Sequence, residues 1–295
     1  MIVPQLGAYR MTEKKTNEIM KYCLIGHPVG HSLSPRIHNE AFAALKIPAV
    51  YGTVDTSEKG LEETVKGLTA SGYLGWNVTM PDKTAMCSLC DELSDESEIG
   101  LSVNTVKNEN GHLFGTTTDG IGFLHAAEGL NVRIAGNKIV LLGGGGAASA
   151  ILISSALAGA SEIAVFVRST FSQERIETIA ERLSGKCTGC VTLHSISDTE
   201  DLRKEISGCA LLANATGVGM GRMEGMSLVP DESFLPSSAA VFDAVYFPRE
   251  TLLLKTAKKA GCQTANGLPM LLGQAAASFR IWTGREMPLT SLDFS

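Results

Sequence analysis

No apolar run in this 295-residue chain approaches the ~20 residues that a membrane-spanning helix needs. Blocks of like charge are missing too. Lys and Arg number 25 against 31 Asp and Glu, a formal net charge of −6, so neither nucleic acid nor a membrane surface is expected as a partner. Residues 1–20 lack the apolar centre of a secretory signal. They read as a frayed lead-in in which Met11 offers an alternative start, and a cytoplasmic location is expected. There is no internal repeat and no low-complexity segment. Seven cysteines, an odd number without a signal peptide, point to free thiols in a reducing compartment. Four of them form Cys87-x-x-Cys90 and Cys187-x-x-Cys190, a spacing that zinc sites use. The pairs are far apart and neither sits in a glycine-rich knuckle, so no metal is expected.

What is present describes a globular protein: 44% of residues are hydrophobic and 19% charged. The length suits two domains. Residues 138–168 are the most informative stretch. An apolar strand-like run, Ile139-Val-Leu-Leu142, feeds four glycines, Gly143 to Gly146, which open an Ala- and Leu-rich helical segment. A second apolar run, Ile163-Ala-Val-Phe-Val167, follows Gly159. Strand, glycine turn, helix and strand in this order make a dinucleotide-binding βαβ unit. Glycines let the backbone approach a pyrophosphate, and the helix N-terminus offers free N–H groups and partial positive charge. An NAD site places Asp or Glu about 20 residues beyond the glycines, on the ribose 2′-hydroxyl. Here that place falls on Val167-Arg168-Ser169-Thr170, without a carboxylate. Arg168 can pair with a 2′-phosphate, and Ser169 and Thr170 can donate to it. NADP is therefore expected, with NAD as the alternative; a merely solvated Arg168 is the competing reading.

The rest of the chain alternates strand and helix. Strands are expected at Tyr22–Ile25, Val50–Val54 and Leu74–Thr79, with hairpin strands around Asn108-Glu-Asn-Gly111. Helices are expected from Ser34, as hydroxyl N-cap before Pro35, and over 60–68, 83–93 and 120–129. Beyond Arg168 the pattern predicts helices over 173–183, 199–206, 252–260 and 269–282, and strands over 191–195, 210–214 and 239–243. Continuous apolar runs suit parallel strands buried on both faces. The expected architecture is α/β in two domains. Residues 1–121 plus 264–295 form an α/β substrate domain with a mostly parallel sheet, and residues 122–263 form a Rossmann-type NADP domain.

In such sheets ligands bind beyond the carboxyl ends of strands. Ser32, Ser34, Asn77 to Lys83, Asn104, Asn214 to Met220 and Asp243 to Tyr246 are polar strand ends of this kind. Hydroxyls and amides gathered there suit a small polyhydroxylated ligand, although each Asn is also a habitual turn residue.

Several ordered motifs carry a resemblance. They are His31-Ser-Leu-Ser-Pro35 with His38-Asn39, Asn77-Val-Thr-Met-Pro-Asp-Lys83, Val103-Asn-Thr105, Thr118-Asp-Gly120, Gly143-Gly-Gly-Gly-Ala147, Asn214-Ala-Thr-Gly-Val-Gly-Met220, Asp243-Ala-Val-Tyr246 and Gly267-Leu-Pro-Met-Leu-Leu-Gly-Gln274. Together they resemble the shikimate/quinate dehydrogenase family over residues 22–282. The resemblance implies reversible NAD(P)-dependent oxidation of a ring hydroxyl on a cyclohexane or cyclohexene carboxylic acid, in a monomer or homodimer. It implies Lys83 and Asp119 as the catalytic pair. Ser32, Ser34 and Tyr246 would hold the carboxylate, and Asn77, Thr79, Asn104 and Gln274 the ring hydroxyls. Gly143, Gly145, Gly146 and Ala147 would carry the pyrophosphate, with Asn214, Thr216 and Met270 nearby on the cofactor side.

A lysine is a base at neutral pH only where burial lowers its pKa from ~10.4, and a neighbouring carboxylate opposes that. The pair is therefore read as coupled, with the proton acceptor unassigned. Thr117, Pro269 and Val167 replace the residues usual in the family. A long connection over Phe171–Arg175 and the run Gly221–Val229 look like the quinate/shikimate branch. An NAD-dependent quinate dehydrogenase and a non-catalytic ligand-sensing relative remain the alternatives.

Overall fold

The computed structural model describes residues 19–57 and 59–289; residues 1–18 of the expected lead-in lie outside them. Among the described residues twelve strands form two six-stranded sheets.

The first sheet holds β1 (Met20–Gly26), β2 (Ala49–Asp55), β3 (Gly75–Val78), β4 (Glu92–Leu93), β5 (Thr105–Glu109) and β6 (His112–Thr116) in the order β2-β1-β3-β5-β6-β4. β1 runs parallel to β2 and β3, and β4 parallel to β6; β5 is antiparallel to β3 and β6. Helices α1 (Ser34–Ala44) and α2 (Leu61–Ala70) connect the parallel strands.

The second sheet is parallel throughout, built of β7 (Lys138–Leu142), β8 (Glu162–Val167), β9 (Cys190–Ser195), β10 (Leu211–Asn214), β11 (Ala240–Asp243) and β12 (Gln263–Ala265). Its order, β12-β11-β10-β7-β8-β9, is the doubly wound arrangement whose switch point lies between the first strand and the fourth. Helices α5 (Gly146–Leu157), α6 (Thr170–Leu183), α7 (Thr199–Ser207) and α8 (Leu252–Lys259) cover it. Every residue of β10 and β11 is buried, as strands covered on both faces require.

Two helices join the sheets: α4 (Asp119–Gly129) leads into β7, and α9 (Leu268–Thr283) returns after β12. They cross at glycines. A Cβ on Gly122 would stand 2.3 Å from the Met270 carbonyl oxygen, and one on Gly273 would stand 3.0 Å from the Gly122 Cα. Any larger residue would force the helices apart. α9 is seated on the first sheet by Trp282, whose indole donates to the Val106 carbonyl (2.9 Å) and stacks on Tyr22 at 5.0 Å.

Three expectations fail for identifiable reasons. The helix foreseen over 83–93 is a short 3₁₀ segment, Ala85–Leu89, after which the chain extends into β4. Asp91 exchanges hydrogen bonds with Leu113, its amide donating at 2.9 Å and its carboxylate accepting at 2.7 Å, and this pairing draws the chain out of helix. Ser34 does not cap α1; Leu33 is the N-cap residue and Ser34 opens the helix. The long connection over Phe171–Arg175 does not exist. Ser169 accepts from the Ser172 amide (3.2 Å), so α6 begins at Thr170. An unforeseen helix, α3 (Asp95–Gly100), carries its own start signal: Ser94 accepts from the Ser97 amide, and Asp95, Glu96 and Glu98 lie in its first turn. β12 was likewise not foreseen.

All seven cysteines are free thiols. Among the described residues no group of His, Cys, Asp and Glu is placed to hold a metal ion, and no helix is long and apolar enough to cross a membrane.

Candidate active site

β3 ends at Val78, and the chain turns through Met80-Pro81-Asp82 to Lys83. Thr56 secures this turn by donating its hydroxyl to the Asp82 carboxylate (2.6 Å). Lys83 Nζ then donates to Asp119 Oδ2 at 2.6 Å, with 22% and 14% of the two side chains exposed. Asp119 is the first residue of α4, where the helix field favours a carboxylate. Its other oxygen, Oδ1, accepts from Asn104 Nδ2 (2.7 Å), and Asn104 Oδ1 accepts from the Thr118 amide (2.8 Å). Both carboxylate oxygens are thus engaged, and an ammonium is held part-exposed beside them. Such a pair can hold a substrate hydroxyl and carry its proton.

Behind the pair lies a buried polar layer. Asn77 accepts from the Tyr51 hydroxyl (2.7 Å), and its amide nitrogen faces Asn104 O (3.1 Å), Thr105 Oγ1 (3.0 Å) and Ser278 Oγ (3.0 Å). Burial raises the Tyr51 pKa well above the ordinary phenol value, so its hydroxyl stays protonated and donates. Ser34 lies beside the Tyr51 hydroxyl, so the two groups of predicted substrate residues are neighbours. Ser32 and Ser34 face each other at 3.2 Å, and Ser32 Oγ also accepts the Ser34 amide. Thr79 packs its methyl against Gly26, where an added Cβ would come within 2.5 Å. Gln274 is buried on α9 and donates to the Leu271 carbonyl (2.9 Å).

Sequence reasoning missed Tyr51, Thr105, Thr118 and Ser278. Thr105 and Thr118 stand inside the motifs Val103-Asn-Thr105 and Thr118-Asp-Gly120 but were given no role of their own; Tyr51 reads as core in β2, and Ser278 joins this layer only through the docking of α9.

A cavity of about 580 Å³ is lined by His31, Leu33 and Arg36, sequence neighbours of Ser32 and Ser34, together with Tyr246, Phe247, Arg249 and Leu268. Tyr246 is 39% exposed at its rim. The space therefore adjoins the predicted carboxylate end rather than the Lys83–Asp119 pair.

The cofactor side is built around the end of β7. Gly143 has φ of 119°, in the region open to glycine, and a Cβ there would lie 3.0 Å from Ala215 O beyond β10. Gly144 packs against α6, whereas Cβ atoms on Gly145 or Gly146 would meet nothing within 4 Å. Among the described residues no side chain caps α5, so its first N–H groups, with Ala147 among them, are left open beside those glycines. That is the geometry of a phosphate site. Arg168, Ser169 and Thr170 are exposed at the end of β8. Ser169 is already used as the α6 cap. Asn214 is buried, donates to Asp243 Oδ1 (2.9 Å) and accepts from Thr216 (2.7 Å); these two side chains shape the turn after β10. Burial raises the pKa of Asp243. Met270 is buried in the first turn of α9.

A doubly wound sheet with an uncapped glycine helix, joined to a second lobe that presents a Lys–Asp pair, defines a two-domain dehydrogenase. The family model of the shikimate dehydrogenase substrate binding domain matches residues 24–106, and that of the shikimate 5′-dehydrogenase C-terminal domain matches residues 267–291. The chain is 42% identical over 280 residues to a shikimate dehydrogenase (NADP(+)) of Listeria monocytogenes serotype 4b, covering 95% of this chain and 96% of the relative. Among solved structures it is similar to a shikimate 5-dehydrogenase from Listeria monocytogenes in complex with shikimate and NAD (TM-score 0.89, 42% identity, 95% of this chain and 97% of that one). It is also similar to quinate dehydrogenase from Corynebacterium glutamicum in complex with NAD (TM-score 0.84, 30% identity, 93% and 97% covered). The chain belongs to the shikimate dehydrogenase family.

Proposed function

We propose that this chain catalyses the reversible reduction of 3-dehydroshikimate to shikimate with NADPH as hydride donor. The observation that carries the reading is the Lys83–Asp119–Asn104 chain of hydrogen bonds at the head of α4. A dinucleotide bound at the glycine turn would supply the hydride acceptor for the oxidative direction, and this chain's own residues handle the proton that the ring hydroxyl gives up. Lys83 and Asp119 form the coupled pair that holds this hydroxyl, receives its proton and stabilises the developing alkoxide charge. Ser32, Ser34 and Tyr246 receive the carboxylate, while Asn77, Thr79, Asn104 and Gln274 orient the ring hydroxyls. The uncapped start of α5 takes the pyrophosphate, with Gly143, Gly145, Gly146 and Ala147 leaving room for it. Asn214 and Thr216 set the neighbouring turn, and Met270 backs the nicotinamide end. Residues 1–121 with 264–295 act as the substrate domain and residues 122–263 as the dinucleotide domain.

Selectivity for NADP rests on Arg168, Ser169 and Thr170, which put a cation and two hydroxyls where an NAD enzyme needs a carboxylate. Quinate is the second substrate reading. It is supported by the likeness to a quinate dehydrogenase. Initial rates with shikimate and with quinate, each against NADP and NAD, test both readings. The highest kcat/KM is expected for shikimate with NADP, and turnover of neither acid with either dinucleotide would refute dehydrogenase function.

A further inference from the structure

α6 begins at the residues that select the dinucleotide, yet its later turns reach into the other half of the molecule. Arg182 Nη1 donates to the carbonyls of Glu98 (2.7 Å) and Ile99 (3.3 Å), and Arg175 Nη2 donates to that of Gly100 (3.4 Å). These are the last carbonyls of α3. That helix has no basic residue in its own last turn and ends on Leu101 with φ of 44°, so cations from α6 satisfy acceptors it leaves open.

Arg175 makes one bond that Arg182 does not. Its Nε donates to Ser149 Oγ (3.0 Å), on a side chain fully buried in the second turn of α5. A serine hydroxyl has a single hydrogen. With the guanidinium donating to its oxygen, that hydrogen is directed to the Gly145 carbonyl (3.0 Å), which the Ser149 amide also meets at 2.9 Å. Gly145 is the N-cap residue of the glycine helix.

On its other side, Gly100 precedes the short segment that carries the site. The Val103 amide donates to the Lys83 carbonyl (2.9 Å), and Asn104 holds the Asp119 carboxylate. One guanidinium therefore ties the turn that receives the pyrophosphate to the segment that positions the catalytic pair.

We propose that Arg175 is a positioning residue, which fixes the dinucleotide turn relative to Lys83 and Asp119 by acting through Ser149. The proposal rests on reading the glycine turn as the dinucleotide site. It differs from the role of Arg168: an effect passed through Gly145 bears on the pyrophosphate common to both dinucleotides, not on the 2′-phosphate that only NADP carries.

The test is steady-state kinetics and thermal melting of the full chain as Arg175→Ala, Ser149→Ala, the double variant, Arg182→Ala and Arg168→Ala, each with NADP and NAD. Arg175→Ala should raise KM for both dinucleotides by about tenfold, equivalent to about 1.4 kcal/mol, while KM for the ring acid changes less than twofold. Ser149→Ala should do the same, and the double variant should lose no more than the worse single, because the two residues act in series. Arg182→Ala should lower the melting temperature with dinucleotide KM unchanged. The proposal is overturned if Arg175→Ala leaves dinucleotide KM unaltered, if its loss is confined to NADP, or if the double variant shows the product of the single effects. A parent chain that turns over no ring acid and binds neither dinucleotide in calorimetry would instead refute the underlying reading of the glycine turn.

Discussion

At the scale of single residues the site depends on groups whose protons are fixed by their surroundings. His38 is fully buried on α1, stacked on Tyr51 at 4.3 Å, and neither ring nitrogen has a hydrogen-bond partner among the described residues. Burial lowers its pKa from 6.5 to about 3, so the folded state keeps the ring neutral where the unfolded chain would protonate it. The unfolded state then binds the extra proton, and stability falls as pH drops from 6.5 towards 3, by about 2 kcal/mol between pH 7 and 5. His38→Phe keeps the ring stack and removes the titrating group. Urea unfolding at pH 7 and pH 5 should therefore show a smaller acid loss in the variant, and an identical loss in both proteins would be incompatible with a neutral buried His38. Arg168 gives a second prediction at this scale. Arg168→Ala should raise KM for NADP by ten- to a hundredfold while leaving NAD within twofold, as expected for a lost bidentate phosphate contact. Equal losses with both dinucleotides would show that Arg168 does not read the 2′-phosphate.

The secondary-structure elements divide into those legible in the sequence and those that are not, and the division has physical causes. The second sheet was legible because its strands are buried on both faces, so β7, β8, β10 and β11 appear as unbroken apolar runs between turn residues. Lys83 and Asp119 were legible because both stand at element boundaries inside dense motifs. The segment after Lys83 was misread because its conformation is decided by β6, a strand distant in sequence. Ser34 was misread as a cap because it is already the first residue of α1, and its hydroxyl faces Ser32 instead of capping its own helix. The buried layer of Tyr51, Thr105, Thr118 and Ser278 depends on sheet register and on the docking of α9, which local patterns do not encode. Within the glycine turn, neighbouring positions should behave differently. A Cβ on Gly144 would lie 2.7 Å from Ser172 Cβ and 3.1 Å from Val167 Cγ1, so Gly144→Ala should destabilise the fold by about 1–3 kcal/mol. Gly145 has open space and an ordinary φ of −86°, so Gly145→Ala should melt like the parent yet bind both dinucleotides more weakly, through loss of room for the pyrophosphate. Unfolding and calorimetric titration of the two variants check this. A Gly145→Ala protein with parental dinucleotide affinity would contradict the placement of the pyrophosphate there.

At the scale of the whole molecule, two sheets of different design are joined by helices that cross at glycines. The crossing brings chemistry from several elements together: Lys83 follows β3, Asn104 precedes β5, Asp119 opens α4, and Ser278 lies on the returning α9. α5 closes the connection to the cofactor side, because a Cβ on Gly120 would come within 2.8 Å of Ser154 Cβ. The helix that begins at the glycine turn therefore packs on the helix that begins at Asp119. The proposed role of Lys83 in hydride transfer has a direct test, single-turnover oxidation of shikimate by NADP with enzyme in excess, comparing the parent chain with Lys83→Ala. The expected result is a rate slowed by roughly 10²–10⁴-fold, the range for loss of a proton-transfer group, with the dissociation constant for NADP unchanged. A Lys83→Ala enzyme that transfers hydride at the parental rate would show that the pair at the head of α4 is not the catalytic centre.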